Sequence, residues 1–305
     1  MRFEFSAEEA FQIEFGDRYL RFYTSRGQVQ VSGVSAYSGA TAYVVGDLVS
    51  DAGVNYYCKA GVTGTAPPNA TYWHALTGTI YEIPSPYLVA DLTNDDGTFA
   101  LRYAQTGDVI RLAHEAYPPM TLTRFAGTRW TLAKIAFASP AFDDRNDTAT
   151  TVYASAATGA VTLNASAAVF TAAMVGEAFY LAEKDVRSTK LWEAGKSITT
   201  GDLRRSDGKN YQALNTATTG GGKPTHSSGA VFDGDTGVQW QFLDPGYGYV
   251  TITGYTSATQ VSATVVSRLP DNAVGAGNPT TRWAKQAWSA ASGYPSCVTF
   301  FRERA

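Results

Sequence analysis

Phe-Gln-Ile-Glu-Phe-Gly-Asp-Arg-Tyr-Leu-Arg-Phe-Tyr, the stretch from residue 11 to residue 23, decides the fold class of this chain. Phe11, Ile13 and Phe15 alternate with polar residues, and Leu20 and Phe22 do the same beyond the Gly-Asp-Arg turn. A period of two places alternate side chains on one face of a strand, and a glycine next to a polar residue is typical of a tight turn. The stretch therefore predicts two antiparallel strands that share one buried face.

The composition of the whole chain favours strands over helices. Of its 305 residues, 44% are hydrophobic but only 17% are charged, and 18 are tyrosines. A soluble helix usually carries a wide charged face, whereas tyrosine and threonine suit strands and glycine and asparagine suit turns. We expect a mainly β protein made of several small antiparallel domains, sandwich-like or barrel-like in form.

Charge and cysteine content limit the classes of function. The net charge is −3 and no block of lysines and arginines occurs, which argues against a tight DNA clamp but not against a DNA conduit. Cys58 and Cys297 lie far apart and predict neither a disulfide framework nor a zinc site. This cysteine usage favours a reducing compartment, so we expect assembly in the cytoplasm. Neither a signal peptide nor an apolar run of membrane-spanning length is visible.

One short segment favours a helix. Residues 167–175 read Ala-Ala-Val-Phe-Thr-Ala-Ala-Met-Val, and Gly176 follows as a typical helix end. We expect a short helix there.

Two glycine-rich and aromatic segments, residues 36–76 and 187–243, resemble each other and form the internal repeat of the chain. We call them module 1 and module 2. Both contain an early aromatic residue, a Gly-Asp pair before a short strand, a glycine turn, a tyrosine-centred strand, a proline-containing loop and a closing tryptophan. In this order, module 1 has Ala42-Tyr43, Gly46-Asp47, Gly53, Tyr56-Tyr57, Pro67-Pro68 and Trp73, and module 2 has Leu191-Trp192, Gly201-Asp202, Gly208, Tyr211, Pro224 and Trp240.

This layout resembles the small carbohydrate-binding modules of chitinases and cellulases. Few residues can be buried in a domain of this size, so large aromatic side chains have to form its core, and exposed ones can stack on sugar rings. The resemblance implies six candidate carbohydrate-binding residues, namely Tyr43, Tyr57, Trp73, Trp192, Tyr211 and Trp240. The competing interpretation is that the closing residues Trp73 and Trp240 are core, with Tyr43 and Trp192 open to either role.

The segments around module 1 carry a second resemblance. It rests on the stretch quoted above, on Tyr-Glu-Ile-Pro-Ser-Pro-Tyr at residues 81–87, on Leu-Arg-Tyr-Ala-Gln-Thr-Gly-Asp-Val at 101–109, and on His-Glu-Ala-Tyr-Pro-Pro at 114–119. These stretches are similar to the tail tubular protein B, or nozzle, family of short-tailed phages. The later strands near residues 248–257 are similar to proteins of this kind and to a small β-barrel of ubiquitin-activating enzymes.

The nozzle resemblance implies a structural role without catalysis. It implies a homo-oligomer, a hexameric ring in the phage tail of the virion, that is assembled in the cytoplasm of a bacterial host and lets DNA pass without specific binding. It also implies contacts with adaptor and fibre proteins and, through the modules, with host surface glycans. Members of that family continue past a Phe-x-Glu-Arg motif into a β-propeller, whereas this chain ends at its motif, residues 301–304.

These patterns predict five regions. Residues 1–35 with 77–142 form a β framework domain, and residues 36–76 form module 1. Residues 143–186 form a small β segment with the short helix, and residues 187–243 form module 2. Residues 244–305 form a barrel-like segment that leads into a truncated C-terminal region.

No recognisable pattern of catalytic residues emerges, and we expect neither enzyme activity nor a cofactor or metal. Asp143, Asn146 and Asp147 form a polar loop with incomplete calcium-ligand spacing. Gly220-Gly221-Gly222-Lys223 lacks the hydroxyl residue of a phosphate loop, because Pro224 follows. The alternative functions are a glycan-binding adhesin or accessory protein and, more weakly, a polysaccharide depolymerase, which lacks a credible acid pair.

Overall fold

The computed structural model describes residues 1–6, 10–185, 187, 189–234 and 237–300. These residues form short antiparallel strands and three single-turn 3₁₀ helices, Val89–Leu92, Ala172–Met174 and Asp271–Ala273, with no α-helix among them. No helix in this part of the chain has the length and apolar character needed to cross a membrane. The prediction of a mainly β fold with several small antiparallel sheets is confirmed.

Two compact units make up the chain. Unit 1 comprises Met1–Ala138 with the described residues after Ser292, and unit 2 comprises Ser139–Ser292. The sheets do not follow the five predicted regions, because residues from 143–186 and from 244–305 pair within one sheet of unit 2.

The described residues of unit 1 form fourteen strands in four sheets. The strands are β1 (Arg2–Glu4), β2 (Ala10–Gly16), β3 (Tyr19–Thr24), β4 (Gly27–Gln28), β5 (Ala42–Tyr43), β6 (Leu48–Asp51), β7 (Val54–Cys58), β8 (Val62–Thr63), β9 (Trp73–Ala75), β10 (Glu82–Pro84), β11 (Arg102–Thr106), β12 (Val109–His114), β13 (Tyr117–Ala126) and β14 (Arg129–Lys134). One framework sheet has the order β1-β2-β3-β10 with β4 on β3, and the other has the order β11-β12-β13-β14. Module 1 contributes β6-β7-β9 and β5-β8.

The predicted hairpin forms as β2 and β3. Phe15 faces Leu20 across it, and Arg18 takes a positive φ of 64° in the turn. Phe11, Ile13, Leu20 and Phe22 are all buried, whereas Phe15 is only partly buried. The alternation therefore identified the buried face correctly, except at the residue next to the turn.

Trp130 of β14 occupies the centre of the unit 1 core. Its ring lies 4.6 Å from Phe22 in a stacked arrangement and meets Phe3 and Phe11 edge-on at 4.8 and 5.4 Å. Each fully buried side chain of this size contributes about 1.5–3 kcal/mol by leaving water, and edge-on pairs add to that. The aromatic residues of the first framework sheet and of β14 thus share one core.

In unit 2, the part of the chain that the structure describes forms twelve strands. They are β15 (Val152–Ala154), β16 (Ala160–Ala165), β17 (Ala178–Ala182), β18 (Ser197–Ile198), β19 (Leu203–Ser206), β20 (Lys209–Ala213), β21 (Ala217–Thr218), β22 (Ala230–Phe232), β23 (Gln239–Asp244), β24 (Tyr247–Ser257), β25 (Gln260–Ser267) and β26 (Trp283–Lys285). A six-stranded sheet has the order β15-β16-β25-β24-β17-β26. Module 2 forms the sheets β19-β20-β23-β22 and β18-β21.

The six-stranded sheet closes into a barrel. Val152 of β15 forms a bridge with Thr280, just before β26, through two backbone hydrogen bonds of 2.8 and 2.9 Å. Its strands share one apolar core, in which Leu163, Phe179 and Ile252 are fully buried. Closure pairs the edge strands, which are otherwise open to aggregation.

The expected helix at residues 167–175 does not form. Only Ala172–Met174 makes a single 3₁₀ turn, and Gly176 follows at a φ of 94°. Val169, Phe170 and Met174 are instead buried in the barrel core. A run of nine residues is too short to form a helix without tertiary support, and here packing against the barrel decides its conformation.

Candidate functional site

Modules 1 and 2 have the same fold. In each module two short strands form a ribbon, β5-β8 or β18-β21, and a hairpin extends to a strand that carries the closing tryptophan, β6-β7-β9 or β19-β20-β23. Cys58 pairs with Trp73 in module 1, and Ala213 pairs with Trp240 in module 2. The segment 37–63 corresponds to 192–218 without insertion or deletion, so the internal repeat predicted from sequence is a structural repeat.

The Gly-Asp pair has the same role in both modules. Asp47 Oδ2 accepts a hydrogen bond from Val44 N at 2.9 Å, and Asp202 Oδ2 accepts one from Thr199 N at 3.2 Å. The preceding glycines, Gly46 and Gly201, have φ values of 98° and 91°, a region that residues with a Cβ rarely adopt. These residues define a turn, and none of this geometry requires a ligand.

The hairpin turns of the two modules also match. Ala52 and Gly53 have φ values of 47° and 80°, and Asp207 and Gly208 have 48° and 77°. Two consecutive positive φ values are characteristic of a type I′ turn, whose twist suits a two-residue hairpin.

The structural repeat corrects the pairing of the early aromatic residues. Tyr37 N bonds to Ser50 O at 2.9 Å, and Trp192 N bonds to Arg205 O at 2.9 Å, so Tyr37 corresponds to Trp192. Tyr43 corresponds instead to Ile198. The backbone hydrogen bonds, which a residue-type pattern does not encode, decide this equivalence.

Five of the six candidate carbohydrate-binding residues lie in cores. Tyr57, Trp73, Tyr211 and Trp240 are at most 3% exposed, and Tyr43 is 9% exposed. Trp192 is partly buried against the module 2 core. Stacking on a sugar requires an open ring face, so the five buried rings have a packing role instead of the predicted sugar-stacking role.

Tyr57 joins module 1 to the framework. Its side chain belongs to the unit 1 core rather than to the module core, and its hydroxyl donates a 2.9 Å hydrogen bond to the carbonyl of Trp130. Tyr81 completes the link by accepting a 2.8 Å bond from Trp130 N. Burial raises the pKa of Tyr57 and of Tyr81 far above the ordinary value, so both phenols stay protonated.

Glu82 secures the other end of module 1. Its carboxylate accepts a 2.8 Å bond from Arg21 Nε and a 3.0 Å bond from Thr77 Oγ1, and it lies 3.6 Å from His74 Nε2. Burial alone would raise the pKa of Glu82, but His74, Arg21 and Thr77 together lower it to about 2. The carboxylate is thus a charged anchor between β9, β10 and β3.

Asp233 organises module 2 and was not identified from the sequence. Its carboxylate is 4% exposed, and it accepts bonds from Trp240 Nε1 at 2.9 Å, Trp192 Nε1 at 3.2 Å and Val238 N at 2.7 Å. A Cβ on Gly237 would lie 2.0 Å from Asp233 Oδ1. Module 1 has no equivalent carboxylate here, because Trp73 Nε1 bonds to the carbonyl of Thr65 at 2.9 Å.

Charged side chains attach module 2 to the barrel. Asp244 is 2% exposed and accepts bonds from Arg268 Nη1 at 2.7 Å and Asn210 Nδ2 at 2.8 Å. Glu183, 1% exposed, forms an ion pair with Arg205 of β19. Burial raises the pKa of Asp244 despite its hydrogen bonds, as expected for a carboxylate removed from water. These two ion pairs, Asp244 with Arg268 and Glu183 with Arg205, hold module 2 against the barrel strands.

The two polar loops noted in the sequence, residues 143–147 and 220–223, are held by hydrogen bonds and packing within the protein. Asn146 Nδ2 donates to the carbonyls of Thr148, Thr150 and Thr281 at 3.0–3.2 Å, which makes it a loop clamp. A Cβ at position 220 would lie only 2.1 Å from the backbone oxygen of Asp233, so the close packing there requires glycine. Within the described residues no group of three or more His, Cys, Asp or Glu side chains could hold a metal. The motif at residues 301–304 lies outside the described residues.

Comparison with known proteins adds no family assignment: no family model matches the chain, and no curated protein matches it.

Proposed function

We propose that this chain is a structural component of a phage tail, part of a nozzle-like hexameric ring through which DNA passes. The observation that carries the proposal is the position of the segments that resemble the nozzle family. They supply β2, β3 and β10 of one framework sheet and β11 of the other, and they reach into β12 and β13. They include the buried residues Phe11, Leu20, Ile83 and Leu101. The resemblance therefore rests on residues that build the body of unit 1 rather than on surface loops.

The architecture supports a scaffolding role. Both modules are attached to their units by buried polar links, Tyr57 to Trp130 in one case and Arg205 to Glu183 in the other. A buried link of this kind holds a module in a fixed orientation. Two modules held rigidly on a β scaffold suit contacts with fibre proteins and with the host surface. A scaffold tolerates insertions such as these modules at exposed loops.

A contact between subunits is best sought at the turn between β13 and β14. Phe125, at the end of β13 beside this turn, is 62% exposed, with the Arg129 guanidinium 5.9 Å from its ring centre. Aromatic residues and arginine are enriched in the buried centres of interfaces. We propose that Phe125 packs against a neighbouring subunit.

Electron microscopy and mass photometry of the purified chain test the proposal. We expect rings, alone or with a tail adaptor protein, and we expect Phe125→Ser to shift the population towards monomers. Phe232→Ser is the matched control, because Phe232 is 51% exposed on module 2, which the proposal places away from the ring contacts. Monomers at high concentration, without rings in the presence of the adaptor, would refute the proposal.

Passage of DNA without retention is a separate test. The net charge of −3 and the absence of a basic block predict no retention on duplex DNA even at low salt. Salt-dependent binding, measured by fluorescence anisotropy, would contradict the conduit role while leaving ring formation intact.

The glycan-binding alternative loses its basis in the module aromatics. Of the six residues chosen for it, five are at most 9% exposed. We therefore propose no glycan site on those rings.

A further inference from the structure

The outer wall of the unit 2 barrel carries a groove that none of the sequence motifs pointed to. It lies where β15, β16 and β25 run side by side, and its volume is about 490 Å³. Small-molecule sites typically occupy about 300–1,000 Å³. Every residue that lines the groove is uncharged.

Strand register brings the key side chains of this groove into one row. Tyr153 pairs with Asn164, and Asn164 pairs with Gln260. Directly opposed residues of antiparallel strands project on the same side of a sheet. Their strand neighbours Val152, Leu163 and Val261 are fully buried inside the barrel, so the row faces outward.

The polar atoms of the row form an incomplete hydrogen-bond chain. Gln260 Nε2 donates to Asn164 Oδ1 at 2.8 Å, which fixes both amides side by side. Within the described part of the chain, neither Gln260 Oε1 nor the Tyr153 hydroxyl has a hydrogen-bond partner. Ser257 and Thr259 at the end of the groove place their hydroxyl oxygens 3.2 Å apart. A ligand would thus meet fixed donors and acceptors beside a half-buried tyrosine ring.

This chemistry discriminates between classes of ligand. A phosphate or an acidic saccharide would find no cation in the groove, and a metal ion would find no carboxylate. A purely apolar ligand would leave the amides without water or a partner, which is costly. A pyranose satisfies both requirements, because its hydroxyls can donate and accept while its C–H face lies on an aromatic ring.

We infer that this groove binds a neutral saccharide, with Tyr153 as the stacking residue and Asn164 and Gln260 as the hydroxyl-binding pair. The inference does not depend on the tail assignment, because it rests on the barrel alone. The site differs from the six module aromatics in that its tyrosine lies on an outward-facing strand position.

Titration calorimetry of the full chain tests this, with neutral trisaccharides of glucose, galactose, mannose and N-acetylglucosamine as probes. We expect at least one of them to bind, and Tyr153→Ala and Gln260→Ala each to weaken that binding at least about tenfold, or about 1.4 kcal/mol. Tyr103→Ala is the matched control, because Tyr103 is 42% exposed on β11 of unit 1. The Tyr103→Ala variant should bind the saccharide as tightly as the wild type does.

Hydrogen exchange of the wild-type chain keeps the test independent of variant folding. Saturating saccharide should slow exchange in residues 151–154, 163–166 and 257–260 and leave the modules unchanged. No binding of any probe at millimolar concentration, binding unaffected by either variant, or protection elsewhere only would overturn the inference. The same variants should assemble as the wild type does, so failure of saccharide binding and failure of ring formation are separate outcomes.

Discussion

Replacing Asp233 by asparagine should selectively destabilise module 2. The substitution keeps the volume of the side chain but turns one carboxylate oxygen into an NH₂ group. Because Oδ1 accepts from Val238 N and Oδ2 accepts from Trp192 and Trp240, a donor must face a donor in either orientation of the amide. The site is 4% exposed, so water cannot easily replace the lost partner.

The expected size of the effect follows from these contacts. A hydrogen bond to a charged group contributes about 1.5–3 kcal/mol, and a buried donor left without an acceptor costs about 1–3 kcal/mol. At least one such bond is lost, and two are lost if the amide nitrogen faces the indoles. We expect a loss of about 2–5 kcal/mol in the free energy of unfolding of module 2.

Hydrogen exchange measured residue by residue is the suitable assay, because two units need not unfold together. Protection of the amides of β20 and β23 should fall, while protection in unit 1 should stay at the wild-type level. Asp207→Asn is the control: Asp207 forms an exposed ion pair with Lys223 in the hairpin turn, where a change below about 1 kcal/mol is expected. A loss below about 0.5 kcal/mol for Asp233→Asn would refute the argument that its carboxylate organises the module.

Three further predictions concern the links within each unit. Tyr57→Phe should lower the stability of unit 1 by about 1 kcal/mol in urea unfolding, because the Trp130 carbonyl loses its donor, and an unchanged midpoint would contradict this. The carboxyl group of Glu82 has a pKa of about 2 in the folded chain against an ordinary 4.5. The stability that its ionised form contributes is therefore fully present above about pH 4.5 and is lost as the pH falls towards 2. Acid unfolding of unit 1, followed by circular dichroism, should show this loss. The Glu82→Gln variant should be less stable than the wild type at pH 7, and its stability should depend less on acid pH. Equal acid sensitivity of variant and wild type would contradict the role of the Glu82 carboxylate. Gly248→Ala should destabilise the barrel by about 1–3 kcal/mol, since the new Cβ would lie 2.2 Å from Arg268 O, and a wild-type melting temperature would disprove that close approach.

The sequence by itself determined the strand character, the β2-β3 hairpin and the repeat of the two modules. These features are local: alternation in Phe11 to Phe22 specifies a face, and the Gly-Asp pairs require particular φ values at Gly46 and Gly201. Each signal is carried by residues that are neighbours in the chain.

Tertiary structure alone decided which aromatic faces are covered. A closing tryptophan such as Trp240 has the same place in a sequence pattern whether it stacks on a sugar or, as here, lies buried with its indole on Asp233. Closure of the barrel and the row from Tyr153 to Gln260 both depend on pairings between residues far apart in the chain, Val152 with Thr280 and Asn164 with Gln260. A two-residue period tells which side a residue faces, but only the register of distant strands determines what lies opposite it.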